Sequence, residues 1–359
     1  MKILFVCGPK AKLKEPFRGG TEVFVHNLAT ELCSNKDIEA TCLVGEADLM
    51  NSYAIELYKK TIFDLSDRMS SQEEANTLFS AMSILKFDLQ SYDIVHYNCF
   101  DPNVFKYAKL VDHNAIVTLH IPPNKKQVES YIDFKNSNLN TTFVAVSKKL
   151  KKQWQEFLGD HIEVIENGVS VNKTGALNHQ PLAPSLLWVG RICEEKQPDK
   201  VIKLVKKLGL NLNIVGPVFN LSYFENKVKP LLDEKIQYKG ELIQSELANL
   251  YRISQALVVA TKWEEPFGLS IAEALTSGLP VVLTENSFGS EKRNCCGLIY
   301  SKLENSNDLL NALHIASRTD RLLIREQAKI FSLTRMGQEY LNLYDVVIKS
   351  YKKGCTFYA

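Results

Sequence analysis

Glu265 and Glu273 stand seven intervening residues apart in Trp263-Glu264-Glu265-Pro266-Phe267-Gly268-Leu269-Ser270-Ile271-Ala272-Glu273-Ala274. An ionised carboxylate accepts two hydrogen bonds side by side, so each suits the vicinal hydroxyls of a sugar or a ribose. Pro266 fits a helix entrance, and Gly268 lets backbone come close to a ligand. This reading puts Glu265 in a loop and Glu273 about two turns into the helix that follows. Taken alone, Glu265 is equally a helix-start acid and Glu273 a surface carboxylate. Yet Ile271, Ala272, Ala274 and Leu275 give Glu273 an apolar setting, where a charge needs a purpose.

A cationic pair comes earlier. Trp188-Val189-Gly190-Arg191 closes a strand pattern, and Lys196 follows five residues on. Arginine offers a planar fork and lysine a point charge, a common combination around phosphate. A departing diphosphate needs positive charge where negative charge develops. Glu194 and Glu195 lie between the two, so a solvated basic loop is the competing reading. Arg18-Gly19-Gly20-Thr21-Glu22 opens a helix, where backbone amides meet the positive helix end; it is also a plain turn sequence. No GxGxxG follows the first strand, which counts against a nicotinamide dehydrogenase.

The elements that must carry these groups alternate between strand and helix patterns. Ile3–Val6, Thr41–Val44, Ile94–Tyr97, Ile116–Leu119 and Phe143–Val146 are short runs rich in apolar residues, as strands buried on both faces of a parallel sheet require. Thr21–Leu32 and Ser147–Leu158 carry apolar residues at three- and four-residue spacing. Residues 170–185 lose this periodicity. The rhythm restarts with strands at Leu186–Val189, Leu212–Val215, Ile236–Tyr238, Ala256–Ala260 and Val281–Leu283, and a last helix spans about Thr334–Tyr351. Two βαβ series imply two Rossmann-like domains. We expect a first domain over 1–170, a linker over 171–185 and a second domain over 186–339. In open parallel sheets ligands bind beyond the carboxyl ends of strands, and the motifs fall there.

The 359 residues suffice for two such cores. A net charge of +2 makes no case for nucleic acid. No apolar run reaches the roughly 18 residues of a spanning helix, and Met1–Pro9 is too short for a secretory signal. The eight cysteines form no CxxC pair and lack zinc-ligand spacing, which reads as reduced thiols in a cytoplasmic protein.

Together, Gly19-Gly20-Thr21-Glu22, Asn167-Gly168-Val169, Val189-Gly190-Arg191 with Lys196, Gly240, Glu265 to Glu273 and Ser277-Gly278-Leu279-Pro280-Val281-Val282 resemble the retaining GT-B glycosyltransferases of family 4. The resemblance covers nearly the whole chain. It implies two Rossmann-like domains whose parallel sheets face across a cleft, with the helix at about 340–359 packing back on the first. It implies transfer of a hexose-like sugar from a nucleotide diphosphate, UDP favoured, to an acceptor hydroxyl with retention and without a metal or other cofactor. Gly19 and Gly20 would then meet the donor phosphates or sugar. Arg191 and Lys196 would hold the diphosphate, and the amides of Gly268 and Leu269 would face it. Glu265 would bind the donor sugar, Glu273 the ribose, and Leu242 and Ile243 would lie near the base. His120, ending Val117-Thr118-Leu119-His120, matches the family's histidine beside the sugar.

The chain departs from the family pattern in Ile121-Pro122-Pro123 after His120, in Ser170, in Pro266, and in a short segment Thr284–Gly297 holding Cys295-Cys296. The acceptor would be a glycan, a lipid-linked sugar or a small molecule. A nucleotide-sugar 2-epimerase and a non-catalytic nucleotide-sugar-binding subunit are the rival readings. Lys148, Lys149, Lys151 and Lys152, interleaved with Leu150, Trp154 and Phe157, form either a solvated basic face or a peripheral contact with anionic lipid.

Overall fold

A computed structural model describes residues 1–8, 11–44, 46–47, 54–55, 88–170, 185–289 and 294–352. The chain divides into two compact units. The first comprises 1–14, 21–166 and 336–359; the second comprises 15–20 and 167–335. The boundary therefore falls at Glu166/Asn167, and the loop carrying Gly19 and Gly20 groups with the second unit, not with the first 170 residues. Residues 171–184 of the expected linker lie outside the described residues, and Ser185 already begins a strand.

In the first unit the strands are β1 (Lys2–Cys7), β2 (Lys12–Leu13), β3 (Glu39–Leu43), β4 (Glu46–Ala47), β5 (Ala54–Ile55), β6 (Ile94–Asn98), β7 (Ala115–Leu119), β8 (Thr141–Ala145) and β9 (Ile162–Val164). Seven form a parallel sheet in the order β5-β3-β1-β6-β7-β8-β9, while β2 and β4 pair separately. β6 and β7 are buried at every position, which is why their sequences do not alternate. Phe5, Phe24, Tyr97, Phe105, Phe134 and Trp154 fill the core around them.

The helix Leu333–Lys352 changes unit at Arg335/Met336. Beyond that point it buries Tyr340 and Tyr344 in the first unit. The Tyr344 hydroxyl lies 2.8 Å from His96 Nδ1, and the Tyr340 hydroxyl 3.1 Å from Thr118 Oγ1. These hydrogen bonds satisfy polar groups that would otherwise be costly so deep in the core.

The second unit carries β10 (Ser185–Val189), β11 (Asn211–Val215), β12 (Ile236–Tyr238), β13 (Leu257–Val259), β14 (Val281–Leu283) and β15 (Leu298–Tyr300). They form a parallel sheet in the order β12-β11-β10-β13-β14-β15. Its core includes Leu186, Trp188, Val201, Ile214 and Leu313. Strand order reverses between β10 and β13, and a crevice at the carboxyl ends of such a pair is the usual ligand site of an open α/β sheet. The sequence patterns identify every strand of this sheet except β15; in the first unit β2, β4, β5 and β9 are likewise missed. Each is only two or three residues long and shows no period of its own.

Candidate active site

The switch point of the second sheet gathers most of the residues singled out in the sequence. β10 leads through Gly190 into a loop holding Arg191 and Lys196, and β13 leads through Thr261 to Glu265. Lys196 Nζ and Glu265 Oε1 form a direct ion pair, with side chains 20% and 12% exposed. Two groups read separately in the sequence are thus partners. Burial, and then the nearby charge of Arg191, lower the Lys196 pKa to about 8, so the ammonium stays charged at neutral pH beside its carboxylate. Arg191 is exposed, and its guanidinium lies 4.7 Å from the centre of the Phe219 ring, a cation–π stack.

Two contacts fix the Lys196 loop. The Glu195 carbonyl accepts from the Lys262 amide at 2.9 Å and from the Thr261 hydroxyl at 2.8 Å. Gln197, next to Lys196, takes the left-handed conformation with φ 48°. A non-glycine residue held there stores strain of the kind found at ligand sites. On the other side, the Glu265 amide donates to Asn286 O at 3.0 Å, and a Cβ on Gly289 would fall 2.2 Å from the Pro266 carbonyl. Only glycine fits that approach, so the Ser287–Gly289 turn presses directly on the Glu265 loop.

The helix Leu269–Thr276 starts at Gly268, whose φ of 101° is left-handed. The Ile271 and Ala272 amides donate to Gly268 O at 3.1 and 3.2 Å, which leaves the Leu269 and Ser270 amides at the helix end to meet an anion. Gly20 is brought to the same place: a Cβ there would come within 3.1 Å of Leu269 Cδ1.

Glu273 lies on the same helix. Its Oε2 accepts from the Tyr251 hydroxyl at 2.9 Å. Burial raises its pKa to about 7, and that hydrogen bond holds it from going higher. Tyr251 belongs to the helix Gln244–Ile253, which begins just after Leu242 and Ile243, the latter 38% exposed. Arg321 fastens the far ends of both helices. Its buried guanidinium donates to Gly278 O at 3.0 Å, Ser254 O at 3.1 Å, Arg252 O at 3.0 Å and Tyr251 O at 3.3 Å.

His120 belongs to the first unit, where it follows β7. Its Nε2 lies 2.9 Å from Asn98 Oδ1, and its ring meets the edges of Phe24 and Phe100 at centroid distances of 4.8 and 6.2 Å. Burial lowers its pKa to about 3, so the ring is neutral.

Leu150 and Trp154 are buried in the first unit, and Trp154 Nε1 donates to Ile121 O at 2.9 Å. Of the apolar residues interleaved with the lysines, only Phe157 is exposed. The described cysteines are all free thiols; Cys355 lies outside the described residues. No helix among the described residues is long and apolar enough to cross a membrane.

Sequence reasoning missed Tyr251, Thr261, Gly289, Arg321 and Asn98. Tyr251 and Asn98 contact the candidate side chains Glu273 and His120 directly, whereas Thr261, Gly289 and Arg321 contact the backbone of the loops and helices around the site; none belongs to a motif that spacing reveals.

Two family models match in succession: Glycosyltransferase Family 4 over residues 18–173, and Glycosyl transferases group 1 over residues 173–294. A mannosylfructose-phosphate synthase of Agrobacterium fabrum is 34% identical over 65 residues, which is 18% of this chain and 14% of that protein. The chain spans less than half the length of the curated relatives it matches. Among solved structures, a glycosyltransferase from Rickettsia africae superposes with a TM-score of 0.68 at 20% identity, covering 97% of this chain and 98% of that one. Anabaena HepE in complex with UDP and glucose superposes with a TM-score of 0.72 at 14% identity, covering 96% of this chain and all (100%) of that one. These structural likenesses establish the two-domain α/β architecture, and the successive matches to both halves establish the lineage: the chain belongs to the group 1 glycosyl transferases, with a GT-B fold.

Proposed function

We propose that this protein transfers a hexose-like sugar from a nucleotide diphosphate to an acceptor hydroxyl, with retention of configuration and without a divalent metal. The observation that carries this reading is the Lys196–Glu265 ion pair at the strand-order reversal, beside the open start of the helix Leu269–Thr276. It sets a cation for the phosphate next to a carboxylate for the sugar. The UDP found with Anabaena HepE supports a uridine donor.

In this reaction Lys196, Arg191 and the Leu269 helix end bind the diphosphate and stabilise the charge that grows as the sugar–phosphate bond breaks. They take the place a divalent cation fills elsewhere. When Lys196 turns to the phosphate, Glu265 is released to accept from sugar hydroxyls and to stabilise positive charge on the ring. Glu273 accepts from the ribose hydroxyls, and His120 meets the sugar. The acceptor oxygen bonds to the anomeric carbon on the face the diphosphate leaves, and its proton passes to the departing phosphate oxygen.

Purified protein screened against nucleotide sugars, with excess chelator, tests the proposal. The expected result is slow donor hydrolysis without an acceptor and transfer with one, both with retained anomeric configuration. Metal-dependent turnover refutes metal independence. Release of nucleotide with an altered free sugar identifies an epimerase, and binding without any turnover identifies a binding subunit.

A further inference from the structure

The Asn98 side chain lies at the end of β6, one strand over from His120, and is 1% exposed. Its amide can face His120 in two ways, and one contact decides between them. Asn98 Nδ2 lies 3.3 Å from the carbonyl oxygen of His96 and donates to it. Turned over, the amide would set Oδ1 against that carbonyl, two acceptors facing each other. The oxygen therefore faces His120, 2.9 Å from Nε2. An acceptor at that distance requires a proton on Nε2.

We propose that Asn98 is a positioning residue that locks His120 in its Nε2–H tautomer and so presents the Nδ1 lone pair to a ligand hydroxyl. The neutral ring carries one proton, and Asn98 holds it at Nε2. The edges of Phe24 and Phe100 fix the plane of the ring. No second hydrogen bond to the ring is formed among the described residues. A group that meets Nδ1 must therefore donate, as a sugar hydroxyl does; a carbonyl or phosphate oxygen is refused. Part of this inference, the sugar as the ligand, rests on the transfer reaction proposed above. The tautomer itself does not.

Protein labelled with 15N at histidine, with the His120 signals assigned by their loss in His120→Gln, reads the tautomer directly. Wild-type protein is expected to show a bare Nδ1 and a protonated Nε2 whose proton is shielded from exchange. Asn98→Leu, close in volume but without an acceptor, is expected to lose that shielding, with Asn98→Ser as the second variant should the first not fold. Turnover should fall about tenfold, as for one lost hydrogen bond. A wild-type His120 protonated at Nδ1, or a shielded Nε2 proton that survives in Asn98→Leu, overturns the assignment. Loss of shielding with unchanged turnover confirms Asn98 as the lock and removes His120 from the proposed reaction.

Discussion

Glu273 should make donor binding depend on pH in a way that Tyr251 controls. Burial holds the carboxyl's pKa at about 7, and the Tyr251 hydroxyl, 2.9 Å from Oε2, keeps it from rising further. Only the carboxylate accepts from both ribose hydroxyls. About one tenth of the protein is ionised at pH 6 and about nine tenths at pH 8, so affinity should fall about tenfold from pH 8 to pH 6, or about 1.4 kcal/mol. Tyr251→Phe removes a hydrogen bond to a charged group, of about 1.5–3 kcal/mol, which moves the transition about one to two pH units upward. The variant should therefore bind about as well as wild type near pH 9 and much more weakly near pH 7.5. Glu273→Gln should bind weakly throughout. The assay is calorimetric titration with UDP from pH 6 to 9 on all three proteins. The ligand's own phosphate titration is common to them, so the differences report Glu273. A Tyr251→Phe profile that superposes on wild type, or a Glu273→Gln profile that keeps the wild-type fall, would refute the placement of Glu273 at the ribose.

The same carboxyl affects stability with the opposite sign. The fold retains its proton up to about pH 7, whereas an unfolded glutamate releases it near ~4.3, so the native state loses stability as pH rises through that window. Glu273→Gln removes this loss, on the order of 3–4 kcal/mol. Its melting temperature should exceed wild type's at pH 8, with the gap closing below pH 4.5. Lys196→Ala should slow transfer about 30- to 1000-fold through loss of about 2–4 kcal/mol of transition-state stabilisation, and Arg191→Ala should behave similarly. Near wild-type turnover in a folded variant leaves only a solvated basic loop. Glu265→Gln should lower turnover strongly while UDP affinity is kept or rises, because that ligand lacks the sugar and Lys196 no longer has to leave a charged partner; equal loss of UDP affinity in Glu265→Gln and Glu273→Gln refutes the division of roles.

The sequence by itself determined the two α/β series, because strands buried on both faces must be written as unbroken apolar runs. It also determined the chemistry available at the strand ends. A carboxylate at Glu265, a cation at Lys196 and glycine at Gly268 are set by local spacing, which a linear reading can follow. Only the tertiary structure decided which of them are partners. Lys196 and Glu265 lie on loops after different strands, and only the sheet order, with β10 beside β13, brings them together. Glu273 reads as a charge in an apolar helix until the helix Gln244–Ile253 brings Tyr251 to it, held by the Arg321 guanidinium. His120 gains a defined proton only because β6 places Asn98 beside it. Hydrogen bonding and burial between distant segments act through space, and a pattern along the chain carries no record of them until the fold sets the distances.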